Sequence, residues 1–220
     1  MLTLAEEVQD RGFAIRRGWL AGETTEIVAS TIGDVAYVAG VRDVQVLRPH
    51  ALEQATPNTY SGNYGLGEFP FHTDLAHWAL PPRYFLLRCL SGAKAVATLL
   101  LDGRRLIEAT GSVVLSRAIV QPRRPVAGQR PLLRLLHRWP NQDALLRWDA
   151  VFIIPATRSG QSGFEAVRAF LATAQPERVA LESPGDVIVV DNWRMLHGRS
   201  PAPIAAQARC IERVYLNTLS

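Results

Sequence analysis

Short apolar runs of strand length, separated by turn residues, recur through the chain from residue 69 onward. Residues 84–90 and 96–101 flank a Ser-Gly-Ala turn, which predicts two neighbouring strands. Because no regular alternation of strand and helix accompanies them, the pattern favours a β-sandwich or barrel with helical cover over a doubly wound sheet. Further strands are predicted at residues 13–15, 145–154, 179–181, 187–190, 195–197 and 210–216.

Fewer helices than strands are predicted, and these helices would cover the strands. With 220 residues, 48% of them apolar and 20% charged, the chain can bury the core of one folded domain, residues 1–220. Residues 1–50 are expected to form a helical and strand cover, and residues 59–216 the β core. Helices are predicted at residues 4–10, 24–31, 104–117 and 163–174, and the Pro- and Arg-rich residues 121–142 are expected to be irregular.

The apolar runs, the first residues and the cysteines bear on the cellular location of the protein. The apolar runs fall far short of the roughly 20 residues that cross a bilayer, so no membrane association is expected. The first residues include Glu6, Glu7 and Asp10 and lack the features of a signal peptide, which favours a cytoplasmic location. Cys89 and Cys210 both lie in apolar runs and are predicted to be buried free thiols.

The net charge of +4 is unevenly distributed. Residues 117–138 carry six arginines and no acidic residue, so the basic pI of about 9.5 belongs to one stretch and the rest of the chain is slightly acidic. Little aromatic interleaving accompanies these arginines, and a nucleic-acid partner is therefore not expected. Residues 122–140 could form an active-site lid or a basic surface, and the sequence leaves both open.

The segment FPFHTD contains a possible metal site. His72 and Asp74 stand two residues apart, and side chains at that spacing on an extended strand project from the same face. Alone, such a triplet is common in proteins without any metal. A second segment, DNWRMLHGRS, places His197 after an apolar strand. Two histidines and one carboxylate on a β scaffold form the facial triad that holds non-haem Fe(II) with open positions.

Two arginines follow this second segment. Arg209 and Arg213 stand four apart on a predicted strand and would share a face. Guanidinium groups bind carboxylates bidentately, so a metal site facing them could hold an anionic cosubstrate. An arginine buried in such a strand would otherwise need an acidic partner.

The HTD triplet, a threonine in a later strand (Thr98), the distal His-Gly pair and the two following arginines, in this order, resemble the taurine dioxygenase-like and clavaminate synthase-like family of Fe(II)/2-oxoglutarate oxygenases. The resemblance covers residues 59–216, and the combination is more specific than any one motif. It implies a mainly β double-stranded β-helix (jelly roll) with flanking helices, which agrees with the strand-rich pattern.

The resemblance implies a role for each residue of these motifs. The histidines and aspartate of the triad, His72, Asp74 and His197, fall on the family's metal ligands. Thr98 falls on a threonine that hydrogen-bonds the cosubstrate 2-oxoglutarate, and Arg209 falls on the arginine that pairs with its far carboxylate. The position of Arg213 is occupied in some members by an arginine that touches the cosubstrate or an acidic group of the substrate.

The reaction implied by the resemblance consumes 2-oxoglutarate and O2 and releases succinate and CO2 while a C–H bond of the substrate is oxidised. Related halogenases have a small residue where this chain has Asp74, so hydroxylation, desaturation or ring formation is implied. Family members place substrate-contacting residues just before the HTD triplet, where this chain has a polar and aromatic mixture suited to a small polar metabolite such as an amino acid or derivative. These candidate residues are Tyr60, Ser61, Asn63 and Tyr64.

Other interpretations of these residues stay open. The segment before the triplet could be a Gly- and Asn-rich surface loop, and His77 is a further candidate at the mouth of the site. Arg147 and Asp149 could form an ion pair within a strand or line the site. A non-catalytic metal-binding jelly-roll protein or sensor is the alternative to an oxygenase. A zinc hydrolase would need a general-base carboxylate, for which Glu68 is the candidate near the motif.

Overall fold

The computed structural model describes residues 2–141 and 143–220. The helices in these residues are α1 Leu4–Arg11, α2 Thr25–Ile32, α3 Tyr60–Tyr64, α4 Gly103–Thr110, α5 Ser112–Arg117 and α6 Arg158–Leu171, with 3-10 turns at Leu52–Gln54 and Ile204–Ala206. The strands are β1 Phe13–Arg16, β2 Gly33–Val35, β3 Gln45–Leu47, β4 Phe69–His72, β5 Tyr84–Ser91, β6 Ala97–Asp102, β7 Ile119–Pro122, β8 Leu133–Arg134, β9 Leu136–Arg138, β10 Ala144–Leu146, β11 Ile153–Pro155, β12 Glu177–Ala180, β13 Val187–Asp191, β14 Met195–Arg199 and β15 Cys210–Leu219.

Two antiparallel sheets face each other, as the strand-rich pattern predicts. The large sheet has the order β1-β13-β5-β15-β2, with β3 also paired to β15, and the small sheet has the order β12-β6-β14-β4. One cluster of buried side chains combines residues of both sheets, including Phe85 and Ile188 from the large sheet and Leu100 and Val179 from the small one. The apolar core between the sheets therefore fixes how the small sheet, which carries the triad histidines, lies over the large one.

Residues 1–50 contribute strands as well as helices. β1 pairs with β13 at one edge of the large sheet, and β2 and β3 both pair with β15. α2 begins where the Thr24 side chain accepts a hydrogen bond from the Ile27 amide, and it buries Val28 and Ala29 against the outer face of the large sheet. The division into a cover and a core stays a prediction, but these strands are continuous with the large sheet.

The predicted pairing of residues 84–90 with residues 96–101 is wrong. β5 lies in the large sheet between β13 and β15, whereas β6 lies in the small sheet between β12 and β14. The intervening turn residues carry the chain from one sheet to the other. Gly, Ser and Ala signal a reversal of direction equally well in a hairpin and in a crossing between sheets, so the sequence pattern did not distinguish the two.

Two predicted elements are interrupted. The helix predicted at residues 104–117 divides into α4 and α5 at Gly111, whose φ of 87° is a left-handed conformation that favours glycine. The strand predicted at residues 145–154 divides into β10 and β11 because the Asp149 carboxylate accepts hydrogen bonds from the Val151 and Phe152 amides and forms a turn. A left-handed glycine thus divides the predicted helix, and a local polar contact divides the predicted strand.

The Arg-rich segment at residues 121–142 is less irregular than predicted. β8 and β9 lie within it, and Leu135 and Leu136 are fully buried in the core beside α6. Its arginines lie on the outside. The Arg124 guanidinium donates to the Asn58 side chain over 2.7 Å, close to the start of α3. Cys89 and Cys210 are buried free thiols, as predicted. Among the described helices, none is both long and apolar enough to cross a membrane.

The outer helix α6 is held by one aromatic side chain in particular. Phe164 is 3% exposed, and its ring lies 4.7 Å from that of Trp148. We expect Phe164→Ala to lower the free energy of unfolding by about 3–5 kcal/mol, because the substitution removes a large buried ring and leaves a cavity. Chemical denaturation measures the change. Leu132→Ala, at a side chain that is 68% exposed, should change it by less than about 0.5 kcal/mol.

Candidate metal centre

The three predicted ligands come together at one end of the small sheet. His72, at the end of β4, lies directly opposite His197 of β14 in the antiparallel register, and Asp74 follows β4 by two residues. The Asp74 Oδ1 atom lies 3.6 Å from His72 Nε2 and 3.5 Å from His197 Nε2. One ligand atom from each of the three residues lies within 4.8 Å of the others, and all three side chains are buried. This is a distance at which one ion could contact all three.

Both histidine rings turn Nε2 toward Asp74. His72 Nδ1 lies 2.9 Å from the Pro70 carbonyl oxygen, which can only accept a hydrogen bond. Nδ1 therefore donates to this carbonyl, and Nε2 is the ring nitrogen left to face a metal. Burial, together with the nearby His72, lowers the pKa of His197 to about 4, so the His197 imidazole is neutral at pH 7.

Asp74 is ionised in spite of its burial. Burial alone would raise the pKa of Asp74, but the Arg213 guanidinium and His197 outweigh it and hold the pKa well below its ordinary value. The Arg213 Nη1 atom donates to Asp74 Oδ2 over 2.7 Å. The ionised Asp74 carboxylate and the neutral His197 imidazole are hence available together at neutral pH, beside the His72 ring. This donor set suits Fe(II), and it also suits other divalent first-row metals.

Asn192, which the sequence analysis missed, fixes the backbone of Asp74. Its Oδ1 atom accepts from the Asp74 amide over 2.7 Å, and its Nδ2 atom donates to the carbonyl oxygens of Asp74 and Pro82, each over 3.1 Å. Asn192 is fully buried. Its only signal in the sequence was its place directly after the apolar strand β13, at the start of the DNW turn.

The glycine of the His-Gly pair has a steric role. A Cβ atom on Gly198 would lie 2.6 Å from the Phe69 carbonyl oxygen, closer than real Cβ atoms come to such an atom. Only glycine therefore lets β14 approach β4 closely enough at this point to keep His197 opposite His72.

We expect Gly198→Ala to push β4 away from β14, lower the free energy of unfolding by about 1–3 kcal/mol and weaken divalent metal binding. A Co(II) titration followed by visible absorption measures the second effect, and thermal denaturation measures the first. Gly22→Ala is the matched control, because a Cβ atom there would meet nothing within 4 Å. Equal metal affinity in the two variants would contradict this account of Gly198.

Thr98 and Arg209 extend the site from the triad. Thr98 of β6 lies opposite Arg199 of β14 and is buried, on the face of the small sheet that also carries His197. Arg209 is 6% exposed, and its Nε atom has no hydrogen-bond partner. Burial lowers the pKa of Arg209, and no carboxylate in the described residues forms a salt bridge that would offset it. A buried guanidinium without a counter-ion is the signature of an anion site.

Arg213 contacts the triad directly. Its Nη1 atom donates to Asp74, as described, and its Nη2 atom donates to the Gln45 Oε1 atom over 2.7 Å. Gln45 of β3 lies opposite Arg213 in the antiparallel register. The sequence analysis did not identify Gln45, because a lone glutamine in the first fifty residues carries no motif. The suggested role of Arg213 toward the cosubstrate or substrate stays a prediction.

The residues expected to contact the substrate form a short helix and not a loop. α3 begins where the Thr59 side chain accepts from the Gly62 amide. The Tyr60 ring stacks on His72 with 4.1 Å between ring centroids, and Tyr64 stacks on Tyr60 at 6.0 Å. Ser61 and Asn63 lie on the same turn, and the Asn63 side chain donates to the Thr59 carbonyl oxygen. Of these candidates, Tyr60 is the one in contact with a triad residue.

His77 lies near Tyr60, across the Phe152 ring. The ring centroids of His77 and Phe152 are 5.6 Å apart, and those of Tyr60 and Phe152 are 5.7 Å apart. His77 Nδ1 is buried without a hydrogen-bond partner, and burial lowers the pKa of this imidazole. His77 therefore presents a neutral ring to Phe152, and its place at the mouth of the site stays a prediction.

Arg147 and Asp149 do not form an ion pair. Arg147 donates to the carbonyl oxygens of Ala76, Trp78 and Ala79, and burial lowers its pKa to about 10. It thereby holds the loop that follows the HTD triplet.

Asp149 is 2% exposed and has no cationic side chain as a salt-bridge partner in the described residues. Burial raises the pKa of Asp149. Burial, and after it the Asp149 charge, raises the pKa of Tyr60. With no ion pair to Arg147, the interpretation that Asp149 lines the site stays a prediction.

Comparisons with known proteins address the fold. No protein-family model matches the sequence. A solved asparagine oxygenase in complex with Fe(II), 3-hydroxyasparagine and succinate superposes with a TM-score of 0.72 and 18% identity, over 97% of this chain and 77% of that one. The non-haem iron oxygenase OrfP in complex with Fe, succinate and (3S)-hydroxy-L-Arg superposes with a TM-score of 0.66 and 19% identity, over 96% and 76% of the two chains. PvcB from Pseudomonas aeruginosa gives 0.66 and 17%, over 97% and 81%.

These similarities establish the fold and confirm the predicted jelly roll with flanking helices. The chain shares nearly its whole length with the fold of Fe- and α-ketoglutarate-dependent oxygenases. The fold and the buried His/Asp/His cluster together define the class of the protein: a jelly roll that carries a candidate non-haem metal centre.

Proposed function

We propose that the protein is an Fe(II)- and 2-oxoglutarate-dependent oxygenase that hydroxylates a C–H bond of a small polar metabolite, such as an amino acid or derivative. The reaction consumes O2 and releases succinate and CO2. The observation that carries the proposal is the buried triad His72, Asp74 and His197 together with Arg209, a buried guanidinium without a counter-ion, in a fold shared with such oxygenases.

The residues present fit the metal. Two imidazoles and one ionised carboxylate would hold Fe(II) and leave positions open for the cosubstrate and O2. The Pro70 carbonyl oxygen orients the His72 ring, and Asn192 holds the backbone of Asp74. When bound, iron with 2-oxoglutarate and O2 supplies the oxidation of the C–H bond, coupled to decarboxylation of the cosubstrate.

Arg209 supports the binding of a dicarboxylate cosubstrate. A carboxylate that reached this guanidinium would form charge-assisted hydrogen bonds and offset the unfavourable burial of its charge. Burial, and after it the Arg209 charge, lowers the pKa of Arg199, which lies opposite Thr98 on the small sheet. Arg199 itself donates to the carbonyl oxygens of Gly65 and Gly67, so Arg209 is the guanidinium available to an anion. Thr98 would add a hydroxyl to the same anion site.

Asp149 supports a substrate that carries a cationic group. Its carboxylate is buried without a cationic partner, between the Tyr60 ring and the turn at Phe152. An ammonium group would offset the burial of this charge and could also contact the neighbouring aromatic faces. The asparagine oxygenase and OrfP structures contain a hydroxylated amino acid, which fits an amino-acid-like substrate for this chain.

The first test concerns the metal and the cosubstrate. Anaerobic addition of Fe(II) and 2-oxoglutarate should give a weak visible metal-to-ligand charge-transfer band. His72→Ala should abolish this band, because it removes a ligand, whereas His50→Ala, outside the triad, should leave it unchanged. Absence of the band in the unaltered protein would refute the proposal. Tight metal binding without 2-oxoglutarate binding or succinate formation would instead indicate the non-catalytic metal-binding protein.

The second test concerns Asp149. We expect Asp149→Asn, which has the same shape without the charge, to raise the KM of a substrate amino acid at least tenfold while slow succinate formation without substrate is unchanged. A panel of amino acids and the matching 2-hydroxy acids, assayed for stimulated succinate release, measures the effect. If the variant discriminates between amino and hydroxy acids as the unaltered protein does, Asp149 does not recognise the ammonium group.

A further inference from the structure

The two oxygen atoms of Asp74 have different partners. Oδ1 faces His72 Nε2 and His197 Nε2, whereas Oδ2 accepts the hydrogen bond from Arg213 Nη1 over 2.7 Å. The second terminal nitrogen of Arg213, Nη2, is held by Gln45 Oε1 over 2.7 Å. A chain of hydrogen bonds therefore runs from the β3 strand to the carboxylate of the triad.

The large sheet holds this chain of hydrogen bonds in place. Gln45 lies directly opposite Arg213 in the pairing of β3 with β15, so the two side chains leave the same face of the sheet. The Arg213 guanidinium also lies over the Tyr215 ring, 4.9 Å from its centroid. Arg213 is thus fixed by Gln45, Tyr215 and Asp74 together, which leaves it little freedom to turn toward another anion.

We propose that Gln45 and Arg213 are positioning residues that hold Asp74 so that only Oδ1 is presented to the metal. This inference rests on the proposed iron site. It assigns Arg213 a role toward Asp74, where the family resemblance suggests contact with the cosubstrate or with an acidic group of the substrate. Arg209 has no carboxylate partner and receives the cosubstrate, whereas Arg213 acts through Asp74. Partners that orient a ligand typically change metal affinity by 10- to 100-fold.

Charge must be kept constant in the test. The positive charge of Arg213 repels a metal cation, so removing it would strengthen metal binding by Coulomb attraction while loss of positioning weakened it. Arg213→Lys keeps the charge but cannot reproduce two hydrogen bonds from a planar fork to two separate acceptors. Gln45→Met keeps the approximate shape and changes no charge, but removes the acceptor for Arg213. Gln45→Glu restores an acceptor at the same place but adds a negative charge, so its absorption spectrum and not its affinity is compared with that of the unaltered protein.

The measurement is Co(II) binding to the whole protein without 2-oxoglutarate, followed by the visible absorption of the bound ion. We expect Arg213→Lys and Gln45→Met each to weaken Co(II) binding at least tenfold and to alter the absorption spectrum, because Asp74 loses its orientation. Gln45→Glu should retain the absorption spectrum of the unaltered protein, because it keeps an acceptor for Arg213. Arg209→Lys is the matched control: its Co(II) affinity should stay within about twofold, while its 2-oxoglutarate affinity falls at least tenfold.

The opposite pattern would overturn the proposal. If Arg213→Lys binds Co(II) as the unaltered protein does but needs at least tenfold more 2-oxoglutarate or substrate, Arg213 is an anion receptor. If Arg213→Lys does not fold, Gln45→Met decides alone: unchanged Co(II) affinity with an unchanged melting temperature refutes the positioning role. The outcome is separate from that of the proposed function, because Co(II) binding can respond as expected even in a protein that never binds 2-oxoglutarate.

Discussion

The pairing of β4 with β14 is the interaction on which the metal centre depends. Directly opposed residues of an antiparallel pair lie about 5 Å apart, so the register alone brings His72 and His197 to the same point. A shift by one residue would turn one of the two imidazoles to the opposite face of the sheet. The backbone contact at Gly198, the apolar core between the sheets and the Asn192 hydrogen bonds all maintain this register.

The buried charges around the centre differ in whether the protein itself neutralises them. Arg213 neutralises Asp74 through a direct hydrogen bond, so that pair is compensated within the protein. Arg209 and Asp149 are both buried and have no oppositely charged partner in the described residues. Since burying an isolated charge is costly, groups of this kind indicate binding positions more strongly than salt-bridged ones do. A dicarboxylate would complement the positive charge of Arg209, and a cationic substrate would complement the negative charge of Asp149.

Much of the centre could be predicted from the sequence because its residues follow strand periodicity. The i and i+2 spacing of His72 and Asp74, and the glycine after His197, are local features that one stretch of sequence contains. Gln45 and Asn192 could not be found in this way. Asn192 contacts Asp74 across 118 residues and Gln45 contacts Arg213 across 168, and neither side chain type carries a motif. Their roles exist only in the folded sheets.

For the fold, too, single elements could be predicted from nearby residues, whereas the pairing of strands could not. Apolar runs predicted the existence of most strands, and the position of α2 was correct within a residue. What failed was the assignment of partners. β5 and β6 follow each other along the chain but belong to different sheets, and the turn at Asp149 divides a run that is otherwise largely apolar. Partner choice is decided by burial between the two sheets, which a single run does not encode.

The sequence separation of these contacts has a consequence for folding. Arg213 is 139 residues from Asp74 and 168 from Gln45, and β3 and β15 must be paired before the three can meet. Closing such long loops is slow, and proteins dominated by non-local pairings fold in milliseconds to seconds. The triad lies at one end of the small sheet, whereas Arg213 and Gln45 lie on the large sheet, so the full set of contacts around Asp74 forms only when both sheets are in place. A metal bound in this arrangement would therefore be acquired late in folding, and its occupancy would report that both sheets have closed.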